Sequence, residues 1–166
     1  MAVREVRTLP DAVLTSPARS LGRIDDHARA LGADLLDTMR ASPACVGLAA
    51  TQIGVPLRAF AIDVTGHKKA RSCHGALVLF DPKIIALATP EIAREGCMSV
   101  PDLTGDVERA TVVTVKGLDM DGQMREITAD AFEARAVQHE LDHLDGLVFL
   151  DRCAGPHAVF KRKVYR

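Results

Sequence analysis

Residues 138–143 read Gln-His-Glu-Leu-Asp-His. This stretch predicts a helix with one face toward a metal ion and the opposite face toward the protein core. On a helix, His139 and His143 lie one turn apart, so both imidazole rings project from the same face. Two histidines at this spacing can chelate one metal ion, and Glu140 beside the first can reach water on that ion. The opposite face is apolar and indicates burial, since it carries Val137, Leu141 and Leu144.

The third ligand of such a site has to come from elsewhere, because catalytic metal sites usually have three protein ligands and one open position. Downstream of His143 the only further histidine is His157, near the tail. We therefore expect an upstream ligand, and residues 95–99 (Glu-Gly-Cys-Met-Ser) place Cys97 in a loop of small residues. A Cys-His-His set suits Fe²⁺, Zn²⁺ or Ni²⁺. Two alternatives stay open here: a chance motif on a surface helix, and a buried apolar thiol at Cys97.

The segments before this helix predict an α+β domain. Apolar residues at helical spacing indicate an earlier helix over residues 24–40, which Pro43 ends. A short strand is predicted at 58–64, and two more apolar runs lie within 76–88, broken at Asp81-Pro82. The predicted arrangement is a set of antiparallel strands around the central ligand-bearing helix, with the N-terminal helix packed outside.

The second half of the chain predicts a hairpin that leads into the ligand helix. Residues 111–118 are rich in β-branched side chains and pair with 123–128 around Asp121-Gly122, a dipeptide typical of type I′ turns. Asp130 is the expected N-cap of the ligand helix. After that helix, residues 147–150 are expected to form a short strand.

Composition limits the class of protein. The chain has 166 residues, of which 48% are hydrophobic and 26% charged, with a formal net charge of −1. These values predict one globular domain over 1–166 and no direct binding to nucleic acid or to a membrane surface. We find no secretory signal, and the four cysteines form no CxxC pair, so reduced thiols and a cytoplasmic or organelle-matrix location are expected.

A third segment, residues 47–52, reads Gly-Leu-Ala-Ala-Thr-Gln. Its small residues allow close approach of the backbone to a ligand or to another strand, although a tightly packed turn would explain them too. Together with 95–99 and 138–143 it resembles the three signature motifs of the peptide deformylase family, in the same order and spacing. The resemblance extends over roughly residues 5–152. It implies a metal-dependent hydrolase that removes the formyl group from formyl-methionyl nascent peptides.

The resemblance also implies roles for individual residues. Cys97, His139 and His143 would bind one divalent ion, with Fe²⁺ expected in the cell and Zn²⁺ or Ni²⁺ in purified protein. Glu140 would be the acid/base. The Gln52 side chain and the Met98 backbone N–H would hold the developing oxyanion.

Substrate contacts and orienting groups follow from the same resemblance. Gly47 and Gly96 would bind the peptide, while the methionine side chain would contact Val46, Phe132, Ala136 and the aliphatic stem of Arg135. For Arg135, an ordinary solvated helix face is the alternative. The residues expected to orient the metal ligands are Glu95 and a buried pair of Arg109 with Asp142. For Asp142, a solvated surface side chain is the alternative.

The sequence departs from the family pattern at three positions. Cys45, Arg94 and Met98 stand where the family commonly has glycine, an acidic residue and leucine. Two rival functions stay open. One rival is a metallopeptidase that shares the helix motif and cleaves internal peptide bonds. The other is a non-catalytic descendant that contacts the ribosome through the basic tail 155–166, although a frayed, solvated terminus is the expected state of that tail.

Overall fold

The computed structural model describes residues 2–163, and it has the predicted α+β architecture. The helices are α1 (Asp26–Ala41) and α2 (Ala131–Leu144). The strands are β1 (Gly47–Ala49), β2 (Ala59–Ile62), β3 (Leu77–Cys97), β4 (Val100–Leu118), β5 (Met124–Asp130) and β6 (Val159–Lys161). Short 3₁₀ helices cover Ala12–Thr15, Ala50–Ile53 and Phe149–Arg152. Within 2–163, no helix has both the length and the apolar character needed to span a bilayer.

All six strands belong to one antiparallel sheet, in the order β1-β2-β3-β4-β5, and β6 pairs with β4. The alternation of side chains along β2 separates two cores. Ala59 and Ala61 pack with residues of α1, whereas Phe60 and Ile62 pack with residues of α2. The two helices therefore cover opposite faces of the sheet, as predicted for a central ligand helix and an outer N-terminal helix.

Both predicted helices form close to their expected limits. The Asp25 side chain caps α1 by accepting a hydrogen bond from the Ala28 backbone N–H at 2.9 Å. Asp130 occupies the N-cap position of α2, but its side chain makes no capping bond. Its carboxylate instead accepts the N–H of Ser72 at 2.9 Å, so a tertiary contact replaces the local one.

Strand lengths differ from the prediction around two segments. The runs within 76–88 form one continuous strand, β3, because the bend at Asp81-Pro82 is absorbed as a register shift between Phe80 and Lys83. The carboxylate of Asp81 accepts the backbone N–H groups of Leu21 and Gly22, which holds this irregular point. The segment 95–99, predicted as a loop, is the end of β3 through Cys97 and the turn that follows it.

Three smaller predictions are wrong. The hairpin between β4 and β5 forms, but Asp121 has no positive φ, so the turn is not type I′; the Asp119 carboxylate binds the loop N–H groups instead. Residues 147–150 are not a strand, because Asp151 accepts the N–H of Val148 and starts a 3₁₀ turn. The tail is not frayed over Val159–Lys161, which pair with β4, and its residues 164–166 lie outside the described chain.

Candidate metal centre

The three predicted metal ligands converge at one point. Cys97 is the last residue of β3, and α2 presents His139 and His143 toward it. The ligand atoms of these three residues all lie within 4.8 Å of one another, and Cys97 Sγ is 3.3 Å from His143 Nε2. Residues that are far apart in sequence thus form a compact group at the junction of sheet and helix.

The donor set fits a divalent ion. A tetrahedral ion with bonds of about 2.3 Å to sulfur and about 2.0 Å to nitrogen keeps those two atoms about 3.5 Å apart, close to the observed separation. Thiolate and imidazole ligands suit Fe²⁺, Zn²⁺ and Ni²⁺. Among residues 2–163, the buried atom Glu140 Oε2 has no hydrogen-bond partner, which indicates that the site is built for a further polar group.

Glu140 lies beside the ligands, and Gly47 of β1 faces its carboxylate. Its side chain is buried, and burial raises its pKa to about 7. A Cβ atom at Gly47 would come within 2.6 Å of Glu140 Oε1, so β1 approaches the helix this closely only because residue 47 has no side chain. Glycine at this position keeps the carboxylate accessible from the cleft.

Gln52 is oriented by its own turn. Its Oε1 accepts the backbone N–H of Ala49 at 3.0 Å, which leaves Nε2 pointing away from the turn. Nε2 lies 3.4 Å from Cys97 Sγ and 3.1 Å from Ser99 Oγ. The amide donor is therefore directed at the metal ligand and at a buried hydroxyl that the sequence reasoning did not single out.

A buried ion-pair network holds the ligands. Glu95 Oε1 is 2.9 Å from His139 Nδ1, and Arg109 binds both oxygens of Glu95 at 2.7 and 2.9 Å. Arg109 Nη1 also binds Asp142 Oδ2 at 2.7 Å. Burial of Glu95 favours the neutral acid, but hydrogen bonds from His139 and Arg109 outweigh it and lower its pKa to about 2. Glu95 is therefore ionised and fixes the ring of His139.

A cleft of about 1260 Å³ runs past the ligand group. Its lining includes every residue predicted to contact substrate: Val46, Gly47, Gly96, Phe132, Arg135 and Ala136. The Arg135 guanidinium bonds Val107 O at 2.7 Å and Glu95 Oε2 at 3.0 Å, so a solvated helix face does not describe it. Contact of its aliphatic stem with a methionine side chain stays a prediction.

One loop next to the cleft was given no role by the sequence reasoning. The ring of His67 stacks on Phe132 with centroids 3.8 Å apart. Fully buried Glu133 accepts from Ser72 Oγ and from the His74 backbone N–H, each at 2.7 Å, and also contacts the His74 ring. One sign of this contact was present in the sequence: Glu133 stands among the apolar positions of α2. A buried carboxylate needs hydrogen-bond donors, which have to come from another segment.

The departures from the family pattern are accommodated without disturbing the ligands. Cys45 Sγ donates to Gly47 O at 3.1 Å, and burial raises the pKa of the thiol to about 11, which keeps it protonated. The Arg94 guanidinium lies 3.9 Å over the ring of Phe160 and bonds Asp106 at 2.7 Å. Arginine at position 94 thus packs against the C-terminal strand.

Comparisons with known proteins agree with this site. The model of the polypeptide deformylase family matches residues 3–158. The curated peptide deformylase of Desulforudis audaxviator is 41% identical over 164 residues, which cover 98% of this chain and 99% of that protein. The solved peptide deformylase of Ehrlichia chaffeensis in complex with actinonin has a TM-score of 0.86 at 33% identity, covering 93% of this chain and 90% of the other. The Met-Ala-Ser-bound peptide deformylase of Acinetobacter baumannii has a TM-score of 0.82 at 31% identity, covering 91% and 98%.

Proposed function

Because the chain belongs to the peptide deformylase family, we propose that Cys97, His139 and His143 hold its catalytic metal ion and that Glu140 transfers the proton. The enzyme is a hydrolase that removes the N-terminal formyl group from formyl-methionyl nascent polypeptides and releases formate. The observation that carries the proposal is the convergence of the three ligand atoms within 4.8 Å, next to a buried carboxylate.

Fe²⁺ is the ion we propose for the cell, with Zn²⁺ or Ni²⁺ in purified protein, because a thiolate with two imidazoles accepts all three. When bound, such an ion lowers the pKa of a coordinated water from 15.7 toward 7. We expect about one ion per chain. A structure with full metal occupancy and Cys97 Sγ more than about 3 Å from the ion would exclude this ligand set, since Zn–S bonds are near 2.3 Å.

Proton transfer is assigned to Glu140. A carboxyl group with a pKa of about 7 can accept a proton from water and return it to the leaving amine at neutral pH. Burial and the absence of a hydrogen-bond partner for Oε2 within residues 2–163 support this role.

The developing oxyanion is assigned to Gln52 Nε2 and to the backbone N–H of Met98. Loss of one donor of this kind typically costs about 3 kcal/mol of transition-state stabilisation. The direction of Nε2 toward Cys97 supports the assignment of Gln52. Gly47 and Gly96 would bind the peptide backbone, and Val46, Phe132, Ala136 and the stem of Arg135 would contact the methionine side chain.

Family membership decides among the three functions that the motif on α2 left open, in favour of the deformylase. We further propose that the chain acts as one catalytic domain, since all its strands belong to one sheet, and that it works in a bacterial cytoplasm, as its relatives are bacterial. Contact of the tail with the ribosome stays a prediction.

Incubation with formyl-Met-Ala-Ser followed by mass spectrometry tests the function. We expect loss of the formyl group alone, and no loss after treatment with a chelator, because the ion is required for hydrolysis. Free formyl-methionine would instead indicate a peptidase. An unchanged peptide, with metal bound and the fold intact, would indicate a non-catalytic protein.

A further inference from the structure

The C-terminal strand brings a charged residue to the catalytic cleft. Strand β6 pairs with β4, with Thr104 opposite Phe160. The residue after β6 is Arg162, whose backbone N–H donates to Asp102 O at 2.9 Å. The stack of Arg94 on Phe160 fixes the strand from its other side. The tail is therefore held at the sheet edge, and Arg162 follows directly from its end.

The side chain of Arg162 lies against the strand that carries a metal ligand. Its Nη2 is 3.5 Å from Cys97 O, and it would be only 2.6 Å from a Cβ atom at Gly96. A side chain at position 96 would therefore displace the guanidinium from this place. An extended peptide advances about 3.3 Å per residue, so this group is within reach of the first two or three residues after methionine.

The cleft has further basic side chains in its lining. Lys68, Lys69 and Arg71 line it from the loop that Glu133 holds, and all three are exposed. Within residues 2–163, neither they nor Arg162 form an ion pair. We call these four residues the basic rim.

The acidic side chains of the cleft do not neutralise the positive charge of the basic rim. Glu95 is bound by Arg109, Arg135 and His139. Asp130 accepts from Ser72, and Glu140 belongs to the catalytic site. Glu91 is the remaining acidic side chain of the lining. Four basic side chains therefore face one free carboxylate, in a protein whose formal net charge is −1.

We propose that the basic rim selects formyl-methionyl peptides that carry a carboxylate within the first residues after methionine, and that Arg162 is the residue that binds it. This rests on the deformylase activity and adds a preference to it. A peptide is the ligand that the geometry favours over a nucleic acid, because Arg162 contacts the strand of Cys97 inside the cleft. Guanidinium groups bind carboxylates through paired hydrogen bonds, which suits this position.

The test compares formyl-Met-Ala-Glu-Ala-amide with formyl-Met-Ala-Gln-Ala-amide, which differ by one charge and have no terminal carboxylate. At low salt we expect kcat/KM to be about five-fold higher for the Glu peptide, the upper range for a solvent-exposed ion pair. The difference should lie in KM with kcat unchanged, because the contact is made equally in the ground and transition states. It should shrink in 0.5 M NaCl.

Two variants assign the effect to one residue. Arg162→Gln should bring the Glu-to-Gln ratio to about one, because the Glu peptide loses its advantage in KM. Lys161→Gln is the matched control, since it removes the same charge from the neighbouring residue, the last of β6, which does not line the cleft. The control should keep the five-fold ratio.

Several outcomes would overturn the inference. A ratio of one in the wild-type enzyme, or a five-fold ratio that persists in Arg162→Gln, would each exclude it. So would a ratio of one combined with inhibition by a short single-stranded RNA that Arg162→Gln abolishes, which would indicate a phosphate-binding surface. If neither peptide lost its formyl group, the deformylase function itself would be wrong, so the two failures are distinguishable.

Discussion

Glu140 and Gln52 differ in how their neighbours prepare them for chemistry. Burial leaves Glu140 without a partner for Oε2 among residues 2–163 and raises its pKa to about 7. Gln52, by contrast, is held at both ends of its amide, by the Ala49 N–H at Oε1 and by Cys97 and Ser99 at Nε2. Glu140 is thus prepared for proton transfer, whereas Gln52 is held in a fixed orientation. We therefore expect substitution of Glu140 to remove proton transfer and substitution of Gln52 to remove a hydrogen-bond donor.

Glu140→Gln should retain metal and fold while losing at least about 100-fold in kcat, the usual scale of general acid–base catalysis. Glutamine preserves the shape of the side chain but cannot take up the proton. Stopped or continuous assays on formyl-Met-Ala-Ser, with metal content measured in parallel, check this. Activity at half the wild-type level would mean that another group moves the proton.

Gln52→Leu should lower kcat by about 10²–10³-fold with the metal still bound, because it removes an oxyanion donor. The change also removes the acceptor for Ala49 N–H, so thermal unfolding has to be measured beside the kinetics. Ser99→Ala is the matched control: it removes the other partner of Nε2 but keeps the donor, and it should have a much smaller effect. A change in KM alone for Gln52→Leu would make Gln52 a binding residue.

Arg109 connects three secondary-structure elements around the ligands. It lies on β4 and binds Glu95 of β3 and Asp142 of α2, while Glu95 in turn contacts His139. The Arg109 side chain is 3% exposed and those of its two partners 10% and 9% exposed, so the charges compensate one another out of water. The position of the ligand helix relative to the sheet therefore depends on this pair of contacts.

Arg109→Met should lower the free energy of unfolding by about 3 kcal/mol, because it removes the most buried cation that pairs with Glu95 and Asp142 and leaves them only Arg135 and Arg152 as guanidinium partners. It should also weaken metal binding by about 10–100-fold, since Glu95 no longer holds the ring of His139. Denaturant unfolding and a competitive chelator titration measure the two effects. Arg29→Met, in an exposed pair with Asp26, is the control and should change neither appreciably. Equal behaviour of the two variants would show that the network does not position the ligands.

At the scale of the whole molecule, the reaction end of the cleft lies where several elements meet. The three ligands, Glu140 and Gln52 come together near β1, the end of β3 and α2, and Gly47 is needed for that approach. The same cleft is also lined by basic side chains of residues 68–71 and by Arg162 after the C-terminal strand. Because a Cβ atom at position 47 would already contact Glu140, we expect little room for extra substrate atoms at the carbonyl.

Formyl-Met-Ala-Ser should be deformylated at least about 100-fold faster than acetyl-Met-Ala-Ser is deacetylated. A formyl carbon carries only hydrogen, whereas one extra methyl group in a packed site typically costs about 1–3 kcal/mol and displaces the carbonyl from its donors. Initial rates on both peptides, with the Met–Ala bond monitored by mass spectrometry, give the ratio. Comparable rates would mean that the gap at Gly47 admits the methyl group.

Local residue patterns were enough for the elements that carry their own signal. Helix α1 follows from apolar residues at helical spacing, and α2 follows from its histidine face opposite an apolar face. The β4–β5 hairpin was predictable, but its turn type was not, because the Asp119 side chain decides the loop conformation. The motif resemblance supplied the ligand set, and the pair of Arg109 with Asp142 followed from it.

The sequence by itself determined the family, the fold class, the ligand helix and the residue types at the reaction centre. These features depend on the spacing of residues along the chain or on motifs of neighbouring residues. Only the tertiary structure decided that Leu77–Cys97 forms one strand, that Glu133 holds the loop of Ser72 and His74, and that Arg162 reaches the cleft. These features depend on contacts between residues far apart in the chain. Their energy comes from burial and from hydrogen bonds that exist only after the segments have packed.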